Sequence, residues 1–558
     1  MAAQAVAASP VTDVLVIGAG GAGLRAALAA RAAGCAVTVL HTHSGASPFI
    51  LAFNALTAGA DSGDSAERYG ADMVRGGAGL NDRRLVSSLV HGTGAVVSEL
   101  AEWGVPFART EADYTLRHLG GSSCPRSVYV REGTGKAALR VMAARAREHG
   151  VELVAGVRVL SLLRHGGRVV GALAVRLRDG ALFTVQAGAV VLAAGGAGRI
   201  YAGSTYPTDV NGSGYALAYA AGATLVDMEF VQFEPTVVAP PLACHGMEMP
   251  TAMLGDGAML LNNQGEQFML RYNPGHGEKG VEKAFLACCI QREVDEGRGF
   301  PGGTVLFDAR VLPPQVLEGY PNHVRRLRAA ALDPAREAVP VRPAAHSHMG
   351  GVHIEPGGGT GVPGLFAAGE VTGGVHGASR LAGNSGSDVL VNGGLAGRSA
   401  AAFASGGQPG TVPIAVLAAE AFAAMPTGEI LLAKQVKERV SNILAHGAGL
   451  IRSEALLQAG RTELAEVGAL LATTSASTQL NGGDARTVDI PAVVEHLEAQ
   501  QHLLVAEMIL ASALARTESR GAHRRTDCPE RDDLHWTCHL AIRRTEGGAM
   551  AISSHPVT

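Results

Sequence analysis

The chain is poor in the residues that would hold metals or clusters. Its seven cysteines are Cys35, Cys124, Cys244, the adjacent Cys288 and Cys289, Cys528 and Cys538, and no two form a C-x-x-C pair. Iron–sulfur ligation, structural zinc and C-x-x-C-H haem attachment lack their spacing, so no metal site is expected. Scattered thiols of this kind read as small buried hydrophobes in a reducing compartment. No apolar run reaches the length of a membrane-spanning helix, so no direct membrane insertion is expected. The formal net charge is only −4, which argues against nucleic acid or an anionic membrane as a partner. The opening segment MAAQAVAASPVTD lacks the basic stretch of a secretory signal, so a cytoplasmic location is the expectation.

Glycine, by contrast, is abundant, and its placement is informative. Asp13-Val-Leu-Val-Ile-Gly reads as a buried parallel strand, Gly18-Ala-Gly-Gly-Ala-Gly23 opens an Ala-rich helix to about Ala33, and Ala36–Leu40 reads as the next strand. This is a β-turn-α-β unit with G-x-G-x-x-G spacing. Gly18 allows the tight turn, Gly20 lets backbone approach a pyrophosphate, and Gly23 permits close helix–strand packing. The second strand runs into Leu40-His41-Thr42-His43, with no acidic residue to hold a ribose, which weakens a simple NAD reading.

A second apolar strand, Ala189–Ala194, breaks into Gly195-Gly196-Ala-Gly198. Far downstream, Phe366–Gly386 carries a short strand into Gly369-Glu370, then a glycine-rich loop holding Arg380, then a turn that can open a helix. Such a loop brings N–H groups close to a polar or anionic ligand, and Arg380 can fork onto a carboxylate. A cofactor domain built from both ends of the chain accounts for the separation. At 558 residues, two to four domains are expected. The texture turns irregular and richer in Pro and Met from about 235 to 345, as for an inserted domain. Helical periodicity follows from 412 to 515, for example Glu454–Leu471 and Ile490–Ala515, after a linker at Ala404–Gly410.

Taken with Trp103–Thr110, Gly120–Arg126, Met228–Phe233, Pro343–Gly351, His376–Arg380 with Asn384-Ser385, Arg516–His523, Pro529–Asp533 and Trp536, these segments resemble the flavoprotein subunits of succinate dehydrogenase and fumarate reductase, and their relative L-aspartate oxidase. The matching motifs cover nearly the whole chain in family order. The resemblance implies an α/β fold with a split Rossmann-like FAD-binding domain, an inserted α+β capping domain and a C-terminal helical domain. The implied boundaries are 1–234 and 346–408 for the FAD-binding domain, 235–345 for the cap, 412–515 for the helical domain and 516–558 for a polar tail. It also implies an FAD-dependent oxidoreductase, in which a hydride moves between a substrate carbon and the flavin while a proton moves at the adjacent carbon. Gly18, Gly20, Gly21, Gly23, Gly195, Gly196, Glu370 and Ser385 are the implied FAD-binding residues.

His346 falls on the family's substrate-binding histidine and Arg380 on the arginine that grips the substrate carboxylate, so a small carboxylate is the expected substrate. Three positions depart from the family. Glu234 replaces a substrate-contacting histidine, and Pro250-Thr251 aligns approximately with the Thr-Glu of the family's proton relay. Lys283 takes the place of the proton-shuttle arginine. Lysine is a reasonable base when burial lowers its pKa from about 10.4 towards neutrality. The expected catalytic set is therefore Lys283, His346, Arg380 and Glu234. A monocarboxylate fits these charges better than succinate or fumarate, as does an amino acid whose ammonium pairs with Glu234. The region His43-Ser-Gly-Ala-Ser47 puts Gly45 at the approximate place of the histidine that bonds FAD in membrane-complex relatives, so noncovalent FAD is expected. Readings left open are an L-aspartate-oxidase-like amino acid oxidase, a subunit passing electrons to an iron–sulfur partner, and a flavin-binding regulator without turnover.

Overall fold

In the computed structural model of the chain, residues 7–8, 11–57, 63–111, 113–131, 133–407, 412–426, 428–476 and 489–558 are described. Nine elements position the site: β1 (Thr12–Ile17), α1 (Gly21–Ala32), β2 (Val37–His41), β3 (Ala181–Leu192), β4 (Val231–Val238), α2 (Lys283–Asp295), β5 (Val339–His348), β6 (Leu365–Ala367) and α3 (Asn384–Ser405). β1 lies parallel to β2 on one side and to β3 on the other, and β3 also pairs in parallel with β6. Val14, Leu15, Val16, Val190, Val191 and Leu192 have no exposed surface. Strands covered on both faces need such continuous apolar runs.

The turn after β1 requires its glycines. Gly18 has φ +110°, and a Cβ there would lie 2.3 Å from the Ala193 carbonyl oxygen. At Gly23 a Cβ would lie 1.9 Å from the Gly18 oxygen, so the helix could not start this close to the strand. From the other end of the chain, α3 packs on α1 at backbone distance. A Cβ at Gly393 would meet the Ala22 oxygen at 2.6 Å, and one at Gly397 would meet the Ala26 oxygen at 2.2 Å. This contact joins residues 13–33 to residues 384–405, as the separated glycine motifs imply.

Between the two halves, β4 and β5 pair antiparallel in a four-stranded sheet with Val305–Asp308 and Met259–Leu261. This sheet and its helices enclose their own apolar cluster, with Val238, Met249, Leu260, Phe268, Ile290, Phe307 and Val341 all buried. The sheet runs from Val231 to His348, so the boundaries anticipated at 235 and 345 fall inside its first and last strands. Glu234 and His346 thus stand on paired strands of one sheet.

Helices Ile430–Gly447, Glu454–Ala476 and Ile490–Ala515 pack against one another. The anticipated linker is part helix, since α3 runs to Ser405, and residues 408–410 lie outside the described ones. The segment after Arg516, anticipated as a polar tail, folds into the body instead. Cys538–Arg544 and Met550–Pro556 form a hairpin in a five-stranded sheet with Leu225–Val226, Gly351–His353 and Thr372–Gly373. Arg516, Glu518, Arg520 and His523 are buried because they satisfy one another: Arg516 Nε donates to Glu229, and Arg520 donates twice to Glu518. Polar composition disguised an internal ion network as a solvated end.

A methyl group at the α1–α3 contact has nowhere to go. Gly397→Ala is expected to destabilise the fold by about 1–3 kcal/mol, the usual penalty for overpacking. It should lower the thermal midpoint, whereas Gly468→Ala, inside the helix Glu454–Ala476 where a Cβ meets nothing within 4 Å, should hold or raise it.

Candidate active site

A cleft opens where β1, β2 and β3 end. Gly18, Gly20, Gly21, His41, Gly45, Ser47, Arg158, Gly195 and Glu370 are among its lining residues. At the start of α1, Gly20 makes no side-chain cap and no acidic residue occupies the first turn, so the positive end of the helix dipole faces an unshielded approach. A Cβ at Gly20 would lie 3.0 Å from Ser47 Oγ, and the Gly21 N–H donates to that oxygen at 2.9 Å. The buried His41 Nδ1 has no hydrogen-bond partner among the described residues. A glycine cradle, a helix N-terminus and an unpartnered ring nitrogen along one cleft suit a dinucleotide such as FAD.

Of the anticipated FAD-binding residues, Gly18, Gly20, Gly21, Gly195 and Glu370 line this cleft; Gly23, Gly196 and Ser385 do not. Gly23 serves the close packing of α1 on β1. Gly196 lies against Glu370, whose carboxyl carbon a Cβ would meet at 2.8 Å. Ser385 sits in the first turn of α3, outside the lining. Glu370 accepts hydrogen bonds from the Tyr206 hydroxyl and from the His348 N–H (3.0 Å). Burial raises its pKa, and those donors only partly offset the rise.

The anticipated catalytic residues converge from separate segments. Lys283 is the first residue of α2, and its Nζ donates to both oxygens of Glu234 on β4, at 2.9 and 2.8 Å. On β5, His346 Nδ1 lies 3.2 Å from Glu248 Oε1 and 3.1 Å from Thr205 Oγ1. An ionised carboxylate only accepts, so Nδ1 carries a proton and Nε2 is left for a ligand. One ligand-type atom each of Glu234, Glu248 and His346 lies within 4.8 Å of the others. The Lys283 ammonium occupies both Glu234 oxygens, so this cluster is built for proton and charge pairing rather than for a cation. Arg380 donates from Nε to Ser347 Oγ (3.2 Å) and from Nη1 to the Leu381 carbonyl (3.0 Å). No carboxylate of the described residues forms an ion pair with it.

Two expectations change. Burial alone would lower the Lys283 pKa, but the charges of Glu234 and Glu248 outweigh it and raise the group above its ordinary 10.5. The neutral lysine base anticipated from sequence is overturned, because its partner is an anion only 2% exposed. Thr251 brings no carboxylate, but Glu248, three residues earlier, stands beside His346. Burial would raise the Glu248 pKa, yet His346, Lys283 and Arg380 together hold it well below the usual carboxylate range. Its signal in the sequence is slight: a lone acid between two methionines, Met247 and Met249, both buried. Thr205 and Tyr206 gave no signal, since only the fold brings them to the site, whereas Ser347 lies next to His346 within the Pro343–Gly351 motif.

His348, two residues beyond His346, is buried beneath the site, where Nε2 donates to the Met228 carbonyl (3.3 Å). Burial pushes its pKa down to about 4. The depressed value means that the unfolded chain takes up a proton below pH 6.5 which the folded chain refuses until about pH 4. Stability should therefore fall across that window as pH falls, by roughly 3 kcal/mol for this group. Urea denaturation from pH 7 to 5 should show a shallower loss in His348→Gln than in the parent protein.

The profile described as "FAD binding domain" matches residues 13–385, and that described as "Fumarate reductase flavoprotein C-term" matches residues 437–558. The chain is 33% identical to the fumarate reductase flavoprotein subunit of Mycobacterium tuberculosis, over 98% of this chain and 97% of that protein. It is 35% identical to an L-aspartate oxidase of Caulobacter vibrioides, over 96% and 97% of the two chains. Its fold superimposes on E. coli quinol fumarate reductase FrdA with a TM-score of 0.88 at 29% identity, covering 98% and 97% of the respective chains. No helix among the described residues is long and apolar enough to cross a membrane.

Proposed function

The chain belongs to the FAD-dependent fumarate reductase and succinate dehydrogenase flavoprotein family, and on that basis we propose that it reduces a small unsaturated carboxylic acid at the junction of the cofactor cleft and the β4–β5 sheet. The observation that carries this reading is the convergence of the Arg380 guanidinium, which pairs with no carboxylate of the described residues, with His346 and the Lys283–Glu234 pair. Bound FAD supplies the two-electron redox chemistry, held by Gly18, Gly20, Gly21, Gly195 and Glu370. Arg380 binds the substrate carboxylate, with its own orientation fixed by Ser347 and the Leu381 carbonyl. His346, fixed in its tautomer by Glu248, presents Nε2 to the same substrate.

Lys283 holds the proton. With its pKa raised, the ammonium persists at neutral pH, and the neutral amine needed to remove a proton is scarce. A carbanion-like carbon beside a carboxylate is far more basic than any amine, so the ammonium remains a competent acid towards it. The charge state thus equips Lys283 to deliver a proton to that carbon. Glu234 keeps the ammonium in place.

Arg380→Ala should lower kcat/KM for the carboxylic acid by about 100-fold, the loss expected when one partner of a desolvated charge pair is truncated. Lys283→Met should lower kcat by a similar factor, typical of a lost proton donor. In both variants FAD content should match that of the parent. Unchanged turnover in either would refute the corresponding role, and measurement of both variants separates binding from proton transfer.

FAD is held without a covalent bond in this reading, since Gly45 supplies no nucleophile. Acid precipitation should release all flavin into the supernatant and leave a colourless pellet; flavin retained on the denatured chain would contradict it.

A further inference from the structure

Charge pairing at the site is nearly complete before any substrate arrives. Both Glu234 oxygens are taken by Lys283, and Glu248 is paired with His346. Those two carboxylates lie within 4.8 Å of each other through their nearest ligand-type atoms, and Glu234 is only 2% exposed. Arg380 is the site cation that makes no close ion pair with any carboxylate of the described residues, its guanidinium being held by Ser347 and the Leu381 carbonyl. A substrate with two carboxylates could place one on Arg380, but the second would arrive beside two fixed anions. Lys283 could answer it only by leaving Glu234, which would strand a buried carboxylate without a partner, a costly arrangement. An ammonium group fares no better, because both Glu234 oxygens already hold the Lys283 ammonium and Glu248 Oε1 already faces the His346 ring nitrogen. The neutral Lys283–Glu234 pair still offers one uncommitted N–H of the ammonium and the remaining lone pairs of the carboxylate, which suit an uncharged polar group.

We propose that this site selects acids bearing a single carboxylate and an uncharged distal group, and that Glu234 is the residue that rejects a second charge. The proposal rests on the reading of Arg380 as the carboxylate anchor. It narrows the two substrate classes anticipated from sequence to one, because Lys283 occupies the place an amino acid's ammonium would need.

The test compares fumarate with its monomethyl ester, two ligands of one skeleton that differ in a single charge. Binding to the FAD-loaded protein is followed by perturbation of the flavin absorbance, under anaerobic conditions at pH 7.5 and fixed ionic strength. The ester is expected to bind at least about 10-fold more tightly than fumarate. Glu234→Gln frees the Lys283 ammonium and should narrow or reverse that ratio, chiefly by tightening fumarate. Fumarate binding as tightly as the ester in the parent protein overturns the proposal, and that comparison needs no variant to fold. A preference for the ester that survives unchanged in Glu234→Gln removes Glu234 from the role. Arg380→Ala keeps the two readings apart. If it abolishes binding of both ligands while fumarate equals the ester in the parent, the selectivity fails and the anchor stands. If it leaves ester binding unchanged, the anchor itself fails and the selectivity falls with it.

Discussion

Backbone contact between α1 and α3 is the constraint on which the remaining geometry depends. Gly393 and Gly397 let α3 lie against the Ala22 and Ala26 carbonyls, so helices more than 350 residues apart share one face. The consequence reaches the site through connectivity. The loop that carries Glu370 and Arg380 runs between β6, seated on β3, and α3, seated on α1. With both ends fixed on the cofactor sheet, the loop has little freedom in where it places its arginine. Dispersion and exclusion of water supply the attraction here, but the glycines decide how close it can act.

The second constraint is electrostatic. Two acids and three bases meet at β4, β5 and α2, and each group sets the protonation of its neighbour. Glu234 raises the Lys283 pKa against the effect of burial, and His346, Lys283 and Arg380 depress that of Glu248. Glu234, only 2% exposed, would not be tolerable alone, because an unpaired buried carboxylate is strongly destabilising. Charge is thus conserved within pairs, and the one cation left over defines what the site can receive. The same logic organises the C-terminal segment on a larger scale. There Arg452, Arg516, Arg520 and Arg525 lie almost wholly inside the protein, supported by Glu229, Glu518 and carbonyl oxygens.

The cofactor part of the fold was legible in the sequence because its requirements are local. A strand covered on both faces needs an unbroken apolar run, and a tight strand-to-helix turn needs glycine at fixed spacing. Both are written in residues 13–40 and again near residues 189–198 and 366–386. The helices from 454 and 490 were legible for the same reason, their period being visible within a few turns. Glu234, His346, Arg380 and Lys283 could be singled out by resemblance, and the structure brings all four together.

The order of residues along the chain is enough to tell which of them make the cradle, which stretches are strands and helices, and which chemically capable side chains are present. The states and partners of those side chains arise only once the chain has folded. That Lys283 faces Glu234, that Glu248 rather than Thr251 attends His346, and that the arginine-rich end is interior all depend on contacts between residues dozens to hundreds of positions apart. A pKa or a net site charge is a property of such neighbours. No pattern along the chain carries that information, because strand pairing and helix packing choose the neighbours after the local structure is set.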